Sequence, residues 1–478
     1  MKASGSVAAL AWAIVAGASA QTIVRGPIVN PANKSRYYVV QGANWAAIRD
    51  FGRAMGGDLA TIEDAAENAW VTANLAAPVN NKVWIGLNDA TTEGAFQWSD
   101  GSTSSYRNWF PGEPANSATA DYTQLLNDGG QWAHRTASYT TMGVIEVKGP
   151  VLVPQEAATV ESALELAQLS TREVLVAAGT FNLTSATTID TPVTLRGAGR
   201  GATVLRSPLS TEAIYADTDL VVRDVTLLTR DILEFIQTNA ATTRLIDCDV
   251  SSLLDLDARE CLEVFGGDIV LERCRVYNTR FLGNAASTSG SIKAVNCTIF
   301  NVGSLLDPNG NPSRFTATNC VIHDASGTTL VSDGTEVRLY NTIVSQTTGT
   351  WTPLTQAAHC ILPAPLLGAG NLVTSTPGFN NAAAGDFALL PGSPAIDTGD
   401  IAYYLAAGAT EMADLAGLAR IRDIAGAGPE ATSPIDIGPL EFQGQNTCDD
   451  IDFNNDGIFP DTEDINAFIR VFGGGPCQ

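Results

Sequence analysis

The chain reads as multidomain: an α+β domain, then an all-β solenoid, then a small α module built on a metal-binding loop. Three observations predict this. Tryptophans recur around a loop rich in Asp, Glu, Asn and Gly between Trp84 and Trp132. A reference position returns every 22 to 26 residues at Val225, Cys248, Cys274, Cys297, Cys320 and Thr342. An acidic D-x-N-x-D-G run begins at Asp452, and at 478 residues the chain is too long for one domain.

The amino terminus predicts export. Lys2 precedes an apolar core from Val7 to Ala16, and Ala18-Ser19-Ala20 forms a small-residue cleavage box, so residues 1–20 read as a signal peptide. That core is shorter than the roughly 20 residues a spanning helix needs, and no later run is long enough, so no transmembrane segment is expected in the mature chain. A formal charge of -24 excludes nucleic acid, whose phosphates would be repelled. The expected location is secreted, extracellular or cell surface.

Residues 21–148 form the first block. Asn44–Met55 and Glu63–Leu75 carry apolar residues at helical spacing, with Gly56-Gly57 as a stop between them. Short strands are predicted at Val83–Leu87, Ala95–Trp98, Tyr122–Leu126 and Met142–Val147, which makes an α+β domain. Indole rings anchor an irregular loop by burying apolar area. Oxygen-rich loops suit a hard cation such as Ca²⁺, which takes six to eight oxygens.

The motifs Gly56-Gly57-Asp58-Leu59-Ala60-Thr61-Ile62, Glu67-Asn68, Trp84-Ile85-Gly86-Leu87, EGAFQWSDG, NWFPGEP and Gly143-Val144-Ile145-Glu146-Val147 resemble the C-type lectin-like domain. That resemblance implies a calcium-dependent sugar site from a Glu-Pro-Asn triplet, a later acid and an Asn-Asp pair after the loop tryptophan. Here the triplet reads Glu113-Pro114-Ala115 with Asn116 one place late, and the pair after Trp132 is Ala133-His134. Candidate ligand-binding residues are Glu113, Asn116, Asp121, Asp128 and Trp132. Asp89 and Glu93 match a supporting calcium site. In the alternative reading Glu113-Pro114 is only a cis-proline turn, Asp89 and Glu93 are solvated, and the tryptophans are core. His134 is expected to be an exposed loop residue. No cysteine staples this block.

Residues 150–443 carry the repeat. Each unit is a short β-rich run followed by a polar loop, and one unit cannot bury its apolar face alone, so the units must stack. Stacking places Cys248, Cys274, Cys297 and Cys320 in one ladder, where buried cysteine acts as a small hydrophobe. Asp224, Asp247, Asn296, Asn319 and Asn341 precede them and predict a polar ladder at a bend. The segment Glu173–Leu205 resembles the first coils of a pectin-lyase-like, right-handed parallel β-helix. Gly385–Asp400, Asp414–Asp423 and Asp436–Phe442 resemble the end of a bacterial surface β-helix family.

Residues 448–477 form the third block. Asp452, Asn454, Asp456 and Gly457 satisfy the calcium-loop pattern, in which alternate oxygens face the ion and Gly allows the turn. The Ile458 carbonyl and Glu463 or Asp464 would complete the shell. The segment resembles half of a dockerin, an EF-hand-like loop and one helix, which implies a cohesin-like or other surface attachment partner. A bridge between the flanking Cys448 and Cys477 would be worth roughly 3 kcal/mol or somewhat more.

Together these features predict a secreted, bacterial-type carbohydrate-binding or adhesion protein: recognition module, β-helical stalk, calcium-loop anchor. Its partner is a glycan or an extracellular protein. The alternatives are an extracellular polysaccharide lyase or hydrolase, with Asp249, Glu263, Asp268, Arg275, Arg280 and Lys293 as outward candidates, and a lectin-like fold that binds protein rather than sugar. No catalytic motif is recognised among them.

Overall fold

The structure is a computed structural model that describes residues 21–443, apart from 115–116, 118, 208–211, 230–234, 240, 253–259, 286–289, 307–312, 328–329, 332–333, 353–354 and 423–433. Residues 1–20, expected to be a signal peptide, Asn116 and the whole of block 448–477, with the expected calcium loop from Asp452 and the Cys448–Cys477 bridge, lie outside the described residues. Two compact units emerge: one runs to Ala177 and includes Ile189–Arg196, and the second holds Ala178–Thr188 and the chain from Gly197.

In the first unit, β1 (Ile23–Val29) and β2 (Arg36–Ala43) lead into α1 (Trp45–Ala54), whose Asn44 cap accepts the Ala47 N–H at 2.9 Å. After β3 (Asp58–Leu59), α2 (Ala65–Val71) is capped by Asp64, and it runs into a π turn at Thr72–Ala76. Then come β4 (Val83–Asn88), β5 (Gln97–Trp98), β6 (Ala120–Leu125), β7 (Trp132–Thr136) and β8 (Thr141–Val147). The sheet order is β1-β2-β8-β4-β6-β7, with β3 on β8 and β5 on β4. The two helices and four later strands fall where their periodicity predicts, within a few residues at the ends. Four strands of this sheet were not anticipated: β1, β2, β3 and β7.

Successive side chains of a strand face opposite ways, and that alternation makes two cores. Tyr38, Val40, Trp84, Ile145 and Val147 pack with Trp45 and Ile48 of α1. Tyr37, Val39, Ile85, Leu87 and Val144 pack with Trp98 and Trp132. The same unit contains β9 (Val151–Val153) and α3 (Val160–Leu169), the latter opened by a Thr159/Ser162 capping box. A buried ion pair ties this segment to β2. Arg36 Nε and Nη2 donate to Glu156 at 2.5 and 2.8 Å, Nη2 reaches the carbonyls of Gly149 and Pro150, and both side chains are 0 % exposed.

The second unit is a parallel β-solenoid of about 7 turns. One face stacks Leu220–Arg223, Ala241–Ile246, Gly267–Glu272, Ser291–Val295, Arg314–Thr318 and Glu336–Tyr340, each strand paired in register with the next. A second face stacks Thr226–Thr229, Asp249–Ser252, Arg275–Ala285, Thr298–Leu306, Val321–Ala325 and Ile343–Ser345. Between the faces the chain turns through one left-handed residue per coil: Asp224, Asp247, Arg273, Asn296, Asn319, Asn341 and His359, with φ between 46° and 59°. Asn and Asp tolerate that region best, which is why they dominate the bend. The expected ladder is present there, and Asn341 Nδ2 donates to Asn319 Oδ1 at 3.2 Å. A second bend, at Asn278, Asn301, Asp324 and Gln346, was not anticipated.

The residue after the first bend points inward. Cys248, Cys274, Cys297, Cys320, Thr342 and Cys360 are all 0 % exposed, and the five cysteines are unbridged. Each donates to the carbonyl two residues back, for example Cys297 Sγ to Val295 O at 3.2 Å and Thr342 Oγ1 to Tyr340 O at 2.9 Å. The cysteine ladder is therefore a set of short donors closing the bend, and burial pushes the thiols of Cys248, Cys274 and Cys297 well up.

Candidate functional site

The long loop between β5 and β7 is held from inside by Trp132. Its ring is fully buried, with Trp98, Tyr106 and Trp109 set nearly perpendicular to it at 5.9, 5.6 and 5.8 Å. Its Nε1 donates to Asn68 Oδ1 at 2.8 Å, while Asn68 Nδ2 donates to Gly130 O at 2.9 Å. The Glu67-Asn68 motif thus does two jobs. Asn68 locks the loop tryptophan, and Glu67 accepts from Tyr37 OH at 2.5 Å and from the Glu63 N–H at 2.7 Å. Tyr37 OH also lies 3.0 Å from Glu146, whose carboxyl burial pushes up to about 7.

Of the candidate ligands, the fold brings Asp89 and Glu113 to one place and leaves others apart. Asp89 is 2 % exposed, accepts the Gly94 N–H through Oδ2 at 2.9 Å, and faces His134 through Oδ1. His134 Nε2 donates to Asp89 Oδ1 at 3.1 Å, and its ring packs against Phe96 and Trp109. His134 is only 3 % exposed, which corrects the expectation of an exposed loop residue: the neighbouring aromatic rings bury it and Asp89 supplies its polar partner. Glu113 follows a Gly turn and precedes Pro114 across a cis peptide. Its Oε2 accepts the His134 backbone N–H at 3.2 Å, and its Oε1 lies 3.4 Å from Arg135 Nη1. Asp121 is half-buried and gives its carbonyl to the Asp89 N–H at 3.1 Å. Glu93 and Asp128 are exposed.

Calcium needs six to eight oxygens. Around His134 the described residues bring two carboxylates, Asp89 and Glu113, each already facing a nitrogen donor, with the Asp121 carbonyl beside Asp89. Ala133 and His134 add no side-chain oxygen, and the Arg135 guanidinium stands beside Glu113. The described residues, which leave out Asn116, do not make up that number here. His134 and Arg135 brace Asp89 and Glu113 instead, and sequence reasoning missed this because Arg135 lies one residue beyond the motif.

The family comparison meets these residues directly: the family description "Lectin C-type domain" matches residues 41–142. A perlucin-like protein of Mytilus galloprovincialis is 34% identical over 104 residues, which is 20% of this chain and 67% of that protein. The chain belongs to the C-type lectin domain family.

Other relatives of the lectin domain are larger proteins. The low affinity immunoglobulin epsilon Fc receptor of Mus musculus is 36% identical over 98 residues, 20% of this chain and 28% of the receptor. The human C-type mannose receptor 2 is 38% identical over 79 residues, 16% of this chain and 5% of that receptor. The chain thus spans a small part of both. Solved structures similar to the lectin domain include the cow CD23 carbohydrate-recognition domain in the presence of a GlcNAc2Man3 oligosaccharide, at 27% identity, TM-score 0.22, 24% of this chain and 87% of that one. Human lithostathine matches at 25% identity and TM-score 0.24, covering 25% of this chain and 88% of that one.

On the solenoid, the outward candidates are largely paired. Asp249 receives Arg275 Nε and Nη2 at 2.7 and 2.5 Å, and Asp268 accepts from Ser291 Oγ. Lys293 is exposed. At the carboxyl end Asp397, Asp436 and Glu441 each bring a carboxylate oxygen within 4.8 Å of the others, all buried. They clamp the tail. Asp436 accepts the N–H groups of Asp397 and Phe442, Asp414 accepts that of Glu441, and Arg420 meets Glu441 at 2.9 Å while donating to the carbonyls of Asp436 and Gly438. Burial pushes Asp436 up to about 6 and Glu441 to about 8.

Proposed function

We propose that this chain is an exported carbohydrate-binding or adhesion protein whose lectin domain recognises a glycan through its long loop without calcium at that loop. The observation that carries the reading is the brace of His134 and Arg135 on Asp89 and Glu113, which presets the loop where relatives of the family use a metal. A preset loop loses less conformational entropy on binding. The relatives' names, a mannose receptor among them, supply the substrate class. The solenoid serves as a stalk, because stacked coils give a long regular body. The loop Asp452–Glu463 serves as a calcium-dependent anchoring module. No helix among the described residues is long and apolar enough to cross a membrane.

A glycan array probed with the full chain, in calcium and in chelator, tests this. Equal binding in both conditions supports it. Binding lost in chelator would assign the ion to the loop after all, and silence in both would leave a lectin domain that recognises protein.

A further inference from the structure

The lectin domain has a further concave surface, lined in part by Ser99 and Gly101 at the start of the long loop. It is a groove of about 340 Å³, within the range of small-molecule sites. One wall is α1, which contributes Trp45, Arg49 and Arg53, four residues apart and so on one helix face. The other is the β4–β5 hairpin, with Asn88, Gln97 and Trp98.

The floor is rigid. Trp45 Nε1 donates to Ile85 O at 2.8 Å and Trp98 Nε1 to Ser104 O at 3.0 Å, and both rings are 3 % exposed. Asn88 Nδ2 joins the two hairpin strands through the carbonyls of Gly86 and Gln97, each at 3.2 Å. The α1 wall carries two guanidinium groups, each ion-paired on one side and only partly used. Arg49 lies 5.3 Å from the centroid of the Trp45 ring and spends Nε and Nη2 on Asp50 Oδ1. Arg53 spends Nε on Asp58 Oδ2 at 2.8 Å and Nη2 on Ser99 O at 2.9 Å. Among the described residues neither Nη1 has an acceptor.

Two guanidinium groups one helical turn apart, each with a spare donor edge, match a planar or tetrahedral anion. The Asp50 partner is 63 % exposed, so its pair with Arg49 is weak and exchanges readily for a ligand anion. Gln97 and Thr91, joined at 2.8 Å on the exposed rim, offer hydroxyl-pairing groups. We infer that this groove is a second saccharide subsite, selective for a sugar that carries a carboxylate or sulfate held between Arg49 and Arg53. Glu113 and Arg135 do not line this groove, so variants at Arg49 and Arg53 test it apart from the His134–Arg135 brace.

Calorimetric titration of the full chain with galacturonate, a sulfated disaccharide and glucose tests the inference. Galacturonate or the sulfated sugar binds and glucose does not, with affinity falling as salt rises. Whichever acid binds names the substituent. Arg49→Gln and Arg53→Gln each weaken binding about tenfold, as expected for loss of a charged hydrogen bond, whereas Lys82→Gln, an exposed charge outside the groove, changes nothing. Near-ultraviolet dichroism checks that the variants stay folded, and Arg49→Lys, which keeps the charge, retains part of the affinity. Binding of glucose equal to that of the acids, no binding of either acid, or equal loss in Lys82→Gln would overturn the assignment.

Discussion

His134 Nε2 donates to the Asp89 carboxylate at 3.1 Å with both side chains 1 % exposed, and this bond fastens β7 to the end of β4 beneath the long loop. Truncating either partner leaves the other buried without it. His134→Ala is expected to lower the stability of the lectin domain by about 1–3 kcal/mol in urea unfolding followed by tryptophan fluorescence. A variant as stable as the parent would mean that the bond is not formed in solution.

Arg36 and Glu156 form the most completely buried ion pair of the first unit, and Tyr38 OH adds a bond to Glu156 at 2.5 Å. Removing one ion strands the other in a low-dielectric site. Arg36→Met should therefore cost about 3–5 kcal/mol, whereas replacing both, Arg36→Met with Glu156→Leu, should recover most of that loss. Denaturant midpoints of the three proteins decide it. No recovery in the double variant would show that the backbone carbonyls of Gly149 and Pro150 are the partners that matter.

The ladder position accepts Cys or Thr because either donates to the carbonyl two residues back and accepts the N–H of the coil before, as Cys297 Sγ does from Cys274 and Thr342 Oγ1 from Cys320. Cys297→Thr should cost less than Cys297→Ala, for which about 1–3 kcal/mol is expected from the buried Cys274 N–H left unpaired. The thiols of Cys248, Cys274 and Cys297 should resist alkylation until denaturant is added, since burial holds them protonated. Rapid labelling of the native chain at these positions would contradict the described packing.

Glu441 has its folded carboxyl raised from 4.5 to about 8. The folded state then binds the proton more tightly than the unfolded chain, so stability falls as pH rises from about 4.5 through 8 and is flat beyond. Glu441→Gln should flatten that slope, with a pH-independent cost from Arg420 losing its buried charged partner, read by thermal unfolding across pH. An unchanged slope would place the ionisation elsewhere, with Asp436, raised to about 6, the next group to replace.

Periodicity was enough to place α1 and α2, because amphipathic spacing and their caps, Asn44 and Asp64, are local signals. The solenoid was legible for a similar reason. A coil must repeat its bend, and left-handed Asn and Asp followed by a small inward donor leave a mark every coil. The strands β1 and β2 escaped because β1 has no clean alternation and β2 is nearly all buried, a continuous run that periodicity cannot separate from buried helix. Asn278, Asn301, Asp324 and Gln346 escaped because the second bend carries no cysteine to align on.

By itself the sequence determined the lectin motifs, the solenoid repeat and the lack of side-chain oxygens at Ala133 and His134, since these depend on residue type and spacing alone. Only the tertiary structure decided what takes the place of those oxygens. His134 reaches Asp89 across 45 residues and Arg135 reaches Glu113 across 22, and such pairings follow from how β4, β7 and the loop pack together. The groove of Arg49 and Arg53 arises likewise, from a helix face meeting a hairpin that begins 39 residues after Arg49, at Asn88. Long-range packing fixes such distances, and no local spacing encodes them.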